Sequence, residues 1–308
     1  MQAASPRQLQ VFVAIAVSGS VRAASERLFL SQPAASMALA ELERQVGAVL
    51  FVRERGRLRI NARGRELLPL AQELVERHAE FGRRASGNVA ELTGELGIGA
   101  SNTVGNYLVG ELLGAFTATH PGIALRLGVA NTARIAQGVL DHDVDIGCVE
   151  GPVTHAAIEV RPWREDRLVV CARPGHPLAG KKRLRREDFA GERWVLRERG
   201  SATRALSERA LAELPEGRTV LELDQAEAIK QAVIAGLGIA CLPEVAIVDA
   251  RANGRLVVLP TPFLDLRRTL TLLLHRQRYR GAVLEAFLAS LAPGAAGGAA
   301  SGRGGVSG

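Results

Sequence analysis

Three blocks of different hydrophobic periodicity predict the fold class. These are an N-terminal winged helix-turn-helix, a long linker helix, and a C-terminal two-lobed α/β half. In the first sixty residues, apolar side chains recur at helical spacing around one tight turn, and an alternating Arg-rich stretch follows. Residues from 62 into the eighties carry one continuous helical stripe, and from Glu95 short apolar strands alternate with helices. A chain of 308 residues exceeds one ordinary domain, and its 47% hydrophobic content can fill several cores. Aromatic residues are only 4%, so those cores must be aliphatic.

Leu9, Phe12, Val13 and Ala16 set a first helix over 6–17, ended by Gly19. Ser20 caps a second helix to about Leu28, and Phe29-Leu30 form the turn. Ser31 caps a third helix with Pro33 in its first turn, where a missing N–H costs nothing. That helix runs to about Val46, where Gly47 stops it. Small Ala23 and Ala24 let the second helix approach the third, and Leu28, Leu39 and Leu42 supply a mini-core. Arg53, Arg55, Arg57 and Arg59 alternate with period two around Gly56, which predicts a β-hairpin with one basic edge. Asn61 caps the long helix, in which Pro69 removes a hydrogen bond. Leu67, Leu68, Ala71, Leu74, Val75, His78 and Phe81 form its apolar stripe, expected to pack on a partner helix.

Beyond Glu95 the expected strands are 96–100, 124–129, 145–149, 167–172, 193–196, 219–223, 239–242, 256–259 and 270–274. The expected helices are 104–119, 132–141, 204–214, 225–235, 243–253 and 281–291. Alternation argues for largely parallel sheets in two lobes, with a ligand site between them. The Gly-, Ala- and Ser-rich tail 293–308 is expected to be disordered.

Charge separates the blocks. Residues 1–65 hold ten Arg against four Glu, so this basic fifth supplies +6 of the net +7. That marks a module for a polyanion on a near-neutral body. On the third helix Gln32, Pro33, Ser36 and Met37 share or adjoin one face of the first turns, where a helix-turn-helix meets base edges. Gln pairs with adenine, and Pro offers apolar contact to a thymine methyl. The alternative is an ordinary helical hairpin in which Ser31 and Gln32 only cap.

The second half offers two further sites. Ser101, Asn102 and Thr103 precede one helix, and Ser201 and Thr203 stand at the start of another. Hydroxyls and free N–H groups at helix N-termini favour an anion, although plain N-capping explains the same residues. The three cysteines (Cys148, Cys171, Cys241) are odd in number and far apart, which fits a reducing cytosol. Six histidines form no metal spacing, and His142, between Asp141 and Asp143, is expected on a solvated turn. Gly97-x-Gly99-x-x-Asn102 lacks the third glycine of a dinucleotide fingerprint. With no nucleophile elbow or paired carboxylates, the expectation is no enzyme, no metal and no cofactor. With no leader and no apolar run of spanning length, it is a cytoplasmic protein without membrane contact.

Leu9, Phe12, Gly19-Ser20, Ala23-Ala24, Leu28, Ser31-Gln32-Pro33-Ala34, Ser36, Leu42-Glu43, Gly47, Leu50-Phe51, Arg53 and Gly64 resemble the N-terminal signature of LysR-type transcriptional regulators. The resemblance extends to about residue 292. Asn61 departs from it, where the family usually has Thr, but Asn caps a helix equally well. The resemblance implies that Gln32, Pro33 and Ser36 contact bases and that Arg53 and Arg55 lie on the wing. Ser31 and Met37 join the DNA-binding candidates. It further implies an effector site of Ser101, Asn102, Thr103, Asn131, Thr132, Glu150, Ser201 and Thr203, of which Asn131, Thr132 and Glu150 rest on the resemblance alone. Glu227-Ala228-Ile229-Lys230 and Ala235-Gly236-Leu237-Gly238 are most like members regulating carbon fixation or sulfur assimilation.

The expected organisation is a DNA-binding unit at 4–61 (motif 20–39), a dimerisation helix at 62–92 and an effector-binding unit at 93–292. Its first lobe is about 93–163 with 268–292, and its second about 164–267. The expected partners are double-stranded DNA, a small anionic effector, further copies of the chain as a dimer or tetramer, and RNA polymerase as a candidate. The competing reading is a solute-binding protein of a transport system, disfavoured by the missing leader and the basic N-terminal block.

Overall fold

The computed structural model describes residues 4–54, 57–85 and 92–292. The expected tail, the hairpin bend and the end of the linker at 86–91 lie outside the described residues, as does Arg55. The N-terminal unit is built by local signals. Helix α1 (Pro6–Ser18) starts in a capping box between Ser5 and Gln8. Helix α2 (Val21–Arg27) is capped by Ser20 and helix α3 (Gln32–Val46) by Ser31. Gly47 closes α3 at φ 72°, a left-handed position that a side chain would strain. The wing follows as β1 (Phe51–Glu54) paired antiparallel with β2 (Arg57–Ile60).

Helix α4 (Ala62–Ala85) carries Pro69 inside it, and the Gly64 N–H donates to Asn61 Oδ1 at 2.9 Å. A Cβ at Gly64 would meet the Leu50 carbonyl and the Ile60 side chain, so the helix start can sit on the wing base only as glycine. Val11, Phe12, Ile15, Ala24, Ala35, Leu39, Leu42, Leu50 and Phe51 form one buried core, and Leu68 and Ala71 of α4 belong to it. The α4 stripe was expected to face a partner throughout. It is instead divided, because one side is covered by α1 of the same chain. Leu70, Leu74 and Phe81 remain 57%, 54% and 72% exposed on the other side.

The strands of the α/β half, among the described residues, are β3 (Gly94–Ser101), β4 (Ile123–Ala130), β5 (Ile146–Glu150), β6 (Ile158–Ala172), β7 (Arg193–Arg197), β8 (Arg218–Leu223), β9 (Ala240–Pro243), β10 (Val257–Leu259) and β11 (Arg267–His275). Its helices are α5 (Asn102–Tyr107), α6 (Val109–Thr119), α7 (Thr132–Leu140), α8 (Ala202–Leu211), α9 (Ala226–Ile234), α10 (Glu244–Ala252) and α11 (Ala282–Ser290). The helix expected over 104–119 is two helices that break at Leu108. The strand order is β10-β6-β11-β5-β3-β4, with β9 also on β6, and β7 pairs with β8 apart from it.

The expectation of largely parallel sheets needs correction. The β3–β4, β3–β5 and β7–β8 pairs are parallel, but β6 and β11 run antiparallel to each other and to their neighbours. These two long strands cross from one core to the other. One core gathers Leu96, Ile98, Phe116, Ile146, Leu272 and Phe287. The other gathers Leu168, Val170, Phe189, Trp194, Leu196 and Ile239. The first nine residues of β6, Ile158 to Asp166, escaped the sequence reading because charged and apolar residues alternate there without an apolar run. His142 is not on a solvated turn. It is 5% exposed, at φ 60°, with its ring 4.3 Å from that of His275. No helix among the described residues is long and apolar enough to cross a membrane.

Candidate functional site

Two sites stand at opposite ends of the chain. On the head, Ser31, Gln32, Pro33, Ser36 and Met37 are all exposed, Met37 to 72%. At 100° per residue, Gln32, Pro33, Ser36 and Met37 fall on one side of α3, while Ala35, Leu39 and Leu42 face the core. The Ser31 hydroxyl accepts from the Ala34 N–H at 3.3 Å, so it caps the helix as well as lying at its exposed end. Arg53 is exposed on β1 opposite Leu58, and Arg59 pairs with Glu54 at 3.4 Å. The open α3 face thus presents Gln32, Pro33, Ser36 and Met37 to solvent, and Arg53 and Arg59 of the hairpin are exposed as well.

The second site lies where β6 and β11 cross. A cleft of about 860 Å³ opens there, lined by Thr132, Gly151, Ser201, Arg268 and Thr271, with Arg199, Arg209 and Arg267 around it. Its back wall is a buried charge network centred on Arg268, whose side chain is 4% exposed. Arg268 Nε donates to Asp166 Oδ2 at 2.7 Å, Nη1 to Thr203 Oγ1 at 2.9 Å, and Nη2 to Thr103 Oγ1 at 3.1 Å. Glu150 Oε1 is 4.0 Å from Nη2 and accepts from the Thr103 N–H at 3.0 Å. The Thr132 hydroxyl donates to Glu150 Oε2 at 3.2 Å. Burial would raise the Glu150 carboxyl, but the Arg268 charge and the Thr103 contacts hold it below the ordinary value. One guanidinium thus ties a hydroxyl from each lobe to the buried Glu150 and the partly exposed Asp166.

The sequence-predicted residues divide accordingly. Thr132 and Ser201 line the open cleft. Thr103, Thr203 and Glu150 lie behind it on Arg268 and on one another. Asn131 caps α7 and donates across the lobes to Glu198 at 3.2 Å. Asn102 is buried and accepts from Asn106 at 3.5 Å. Ser101 departs from the capping expectation: its hydroxyl makes no cap bond, and its buried side chain instead helps to hold the Glu150 carboxyl below the ordinary value. Nor is the Thr103 N–H free, since Glu150 takes it.

Arg268 and Asp166 were missed. Arg268 shares the inward phase of buried Leu266 and Leu270, and a charge in that phase was the available signal. The three thiols are buried, and burial pushes Cys148 and Cys241 up to about 12, which leaves them inert as nucleophiles.

Comparison with known proteins matches residues 6–65 to the bacterial regulatory helix-turn-helix protein of the lysR family. Residues 90–296 match the LysR substrate binding domain. The chain is 41% identical over 283 residues to the uncharacterized HTH-type transcriptional regulator YeiE of Escherichia coli K12, covering 92% of this chain and 95% of that one. It is 35% identical over 271 residues to the HTH-type transcriptional regulator CbbR of Sinorhizobium medicae, covering 87% and 86%. Among solved structures, full-length OxyR of Pseudomonas aeruginosa superposes with a TM-score of 0.75 at 23% identity, over 94% of this chain and 95% of that one. The CcmR regulatory domain of Synechocystis, in complex with 2-PG, has a TM-score of 0.60 at 29% identity, over 65% and 96%.

Proposed function

From a chain that belongs to the LysR family of bacterial transcriptional regulators, we infer a cytoplasmic, non-catalytic DNA reader controlled by a small anion in the cleft. Residues 4–61 bind promoter DNA, 62–92 pair two copies, and 93–292 sense the effector. Gln32, Pro33, Ser36 and Met37 read base edges, Ser31 orients the helix, and Arg53 holds the phosphate backbone. Arg55 extends that wing in sequence. Leu70, Leu74 and Phe81 give α4 an apolar face for a partner copy, which sets the separation of two heads.

The observation that carries the control half is the Arg268 network, which joins Thr103 to Thr203 across the lobes. A ligand seated on Thr132 and Ser201 touches both lobes and shifts their balance by its affinity difference between the open and closed states. Glu150 and Asp166 already answer Arg268, and Asp265 answers Arg267, so the counter-charge for an anion comes from Arg199 and Arg209. The complex of CcmR with 2-PG supports an anion of that size. The sequence kinship to a probable RuBisCO transcriptional regulator of Trichormus variabilis, 31% identical over 293 residues, favours a regulator of carbon fixation.

Calorimetry on the full chain with 2-PG, phosphate, sulfate and a neutral sugar tests the ligand class. Binding of the sugar alone overturns the anion. Footprinting of the intergenic DNA beside its own gene, with and without the bound anion, tests the coupling. Identical footprints and bends overturn it.

A further inference from the structure

The head and the first lobe of one chain meet in a polar layer used by neither DNA reading nor the cleft. Arg278, in the turn after β11, has a side chain 7% exposed. Its Nη1 donates to Gln72 Oε1 on α4 at 3.1 Å. Its Nη2 pairs with Asp145 and lies 3.9 Å from Glu76 on α4. Gln72 is 5% exposed, a buried amide on a helix face otherwise filled by Leu68 and Ala71. Beside it the Tyr279 hydroxyl donates to Glu80 at 3.4 Å, and the Arg77 guanidinium lies 4.6 Å from the Tyr279 ring centre. At the other end Arg27, which ends α2, grips Glu95 of β3 with both Nε and Nη2. A cavity of about 420 Å³ lies along this seam.

We propose that this layer is an intramolecular latch: Arg278 and Glu95 hold the linker helix and reading head against the first lobe of the same chain, and the head swings only when the latch opens. The composition suits reversible docking. An apolar seam of this extent would be permanent, whereas a polar one between domains permits motion. The pairs at its edge are half-exposed and individually weak, while Arg278 and Gln72 in its centre are buried and leave polar groups unpaired if displaced unsolvated. The latch is thus closed when Arg278 is paired with Gln72 and Asp145, and open when those groups are solvated. Its contacts need neither DNA nor effector, so the latch stands or falls apart from the function proposed above.

The charge arrangement adds a pH dependence. Around Glu76 stand Glu73 and Arg83 on α4, Arg27 on α2, Glu95 and Arg126 on β3 and β4, and Asp145, Arg278 and the Gly281 N–H from the first lobe. Burial pushes the Glu76 carboxyl up to about 7, Arg278 and the Gly281 N–H oppose that, and Asp145 and Glu73 reinforce it. A carboxyl raised by docking favours docking fully below its ordinary value of 4.5, and that contribution is lost as pH rises through about 7. Alkaline conditions loosen the latch.

Hydrogen exchange on the full chain tests it. Arg278→Met is expected to speed exchange about tenfold across residues 72–80 and 142–146, while α1 and β3 keep their protection. Unchanged exchange at 72–80 overturns the latch. Should β3 lose protection too, the surface pair decides: Arg27→Glu is expected to speed 72–80, and adding Glu95→Arg to reverse it. Absence of that reversal overturns the proposal. Glu76→Gln is expected to stay docked where the wild-type seam, corrected for intrinsic exchange, loosens through about pH 7. Parallel pH profiles overturn the role of Glu76. Finally, Arg27→Cys with Glu95→Cys, treated with a short thiol-reactive cross-linker that spans the length of the lost Arg–Glu pair, is expected to give a cross-linked monomer, the three native thiols being buried. A covalent dimer alone places the contact between copies and overturns the same-chain latch.

Discussion

The head and the cleft hold their functional side chains in opposite ways. On α3 the candidates are exposed, uncharged and held by the helix itself, so each position is set by caps within the same twenty residues. In the cleft the central groups are charged and buried, and each is held by residues far away in sequence. Arg268 meets Thr103 across 165 positions and Thr203 across 65. The difference follows from what each must bind. A groove reader needs side chains ready to trade water for bases, so the protein leaves them wet. A set of charges whose partners come from both lobes is held only while those lobes keep their placement.

The contrast can be broken first at Arg268. Arg268→Met strands the buried Glu150 carboxylate and takes the partner from Asp166, and is expected to cost ~3–5 kcal/mol of stability, read as a fall in the urea midpoint. A negligible change would mean that the cleft charges are wet, as on the head. The same network predicts an acid arm. Glu150 is held below its ordinary value, so its contribution is present above that value and lost as pH falls through the lowered one. Glu150→Gln should flatten the unfolding profile there.

On the head, Gln32→Ala should leave the urea midpoint alone and erode discrimination between cognate and scrambled duplex by about 1–3 kcal/mol. Loss of fold stability instead would make Gln32 a structural cap. Arg53→Ala should weaken both duplexes alike and flatten the log-affinity against log-salt slope by about 0.9. The smallest effect is expected at Phe29, which is 96% exposed at φ 53°. Phe29→Gly removes a left-handed strain and loses no burial, so unfolding should become harder by about 1 kcal/mol.

The legibility of the two regions follows the same division. Ser20, Ser31, Gly47 and Asn61 act on backbone groups three or four residues away, so their roles could be read in order along the chain. The strands of the α/β half were legible wherever they were apolar on both faces. The first part of β6 was not, because it is half-solvated and charged. The α4 stripe gave the helix but not its partners: nothing in the periodicity says that Leu68 and Ala71 turn to α1 while Leu74 and Phe81 stay open. His142 shows the same limit, since flanking aspartates suggested water and the fold supplied His275.

The sequence by itself determined the helix-turn-helix, the wing, the linker helix and the alternation of strands and helices. Each is written in spacing, caps and turns that act over a few residues. It also determined the face of α3 that stays open, because the core-facing phase fixes the opposite one. Only the tertiary structure decided that β6 and β11 run antiparallel between two cores, that Arg268 ties the lobes, and that Arg278 reaches Gln72, 206 positions away. Buried charges leave no periodic trace, since their cost is met by partners that only the folded chain brings within reach.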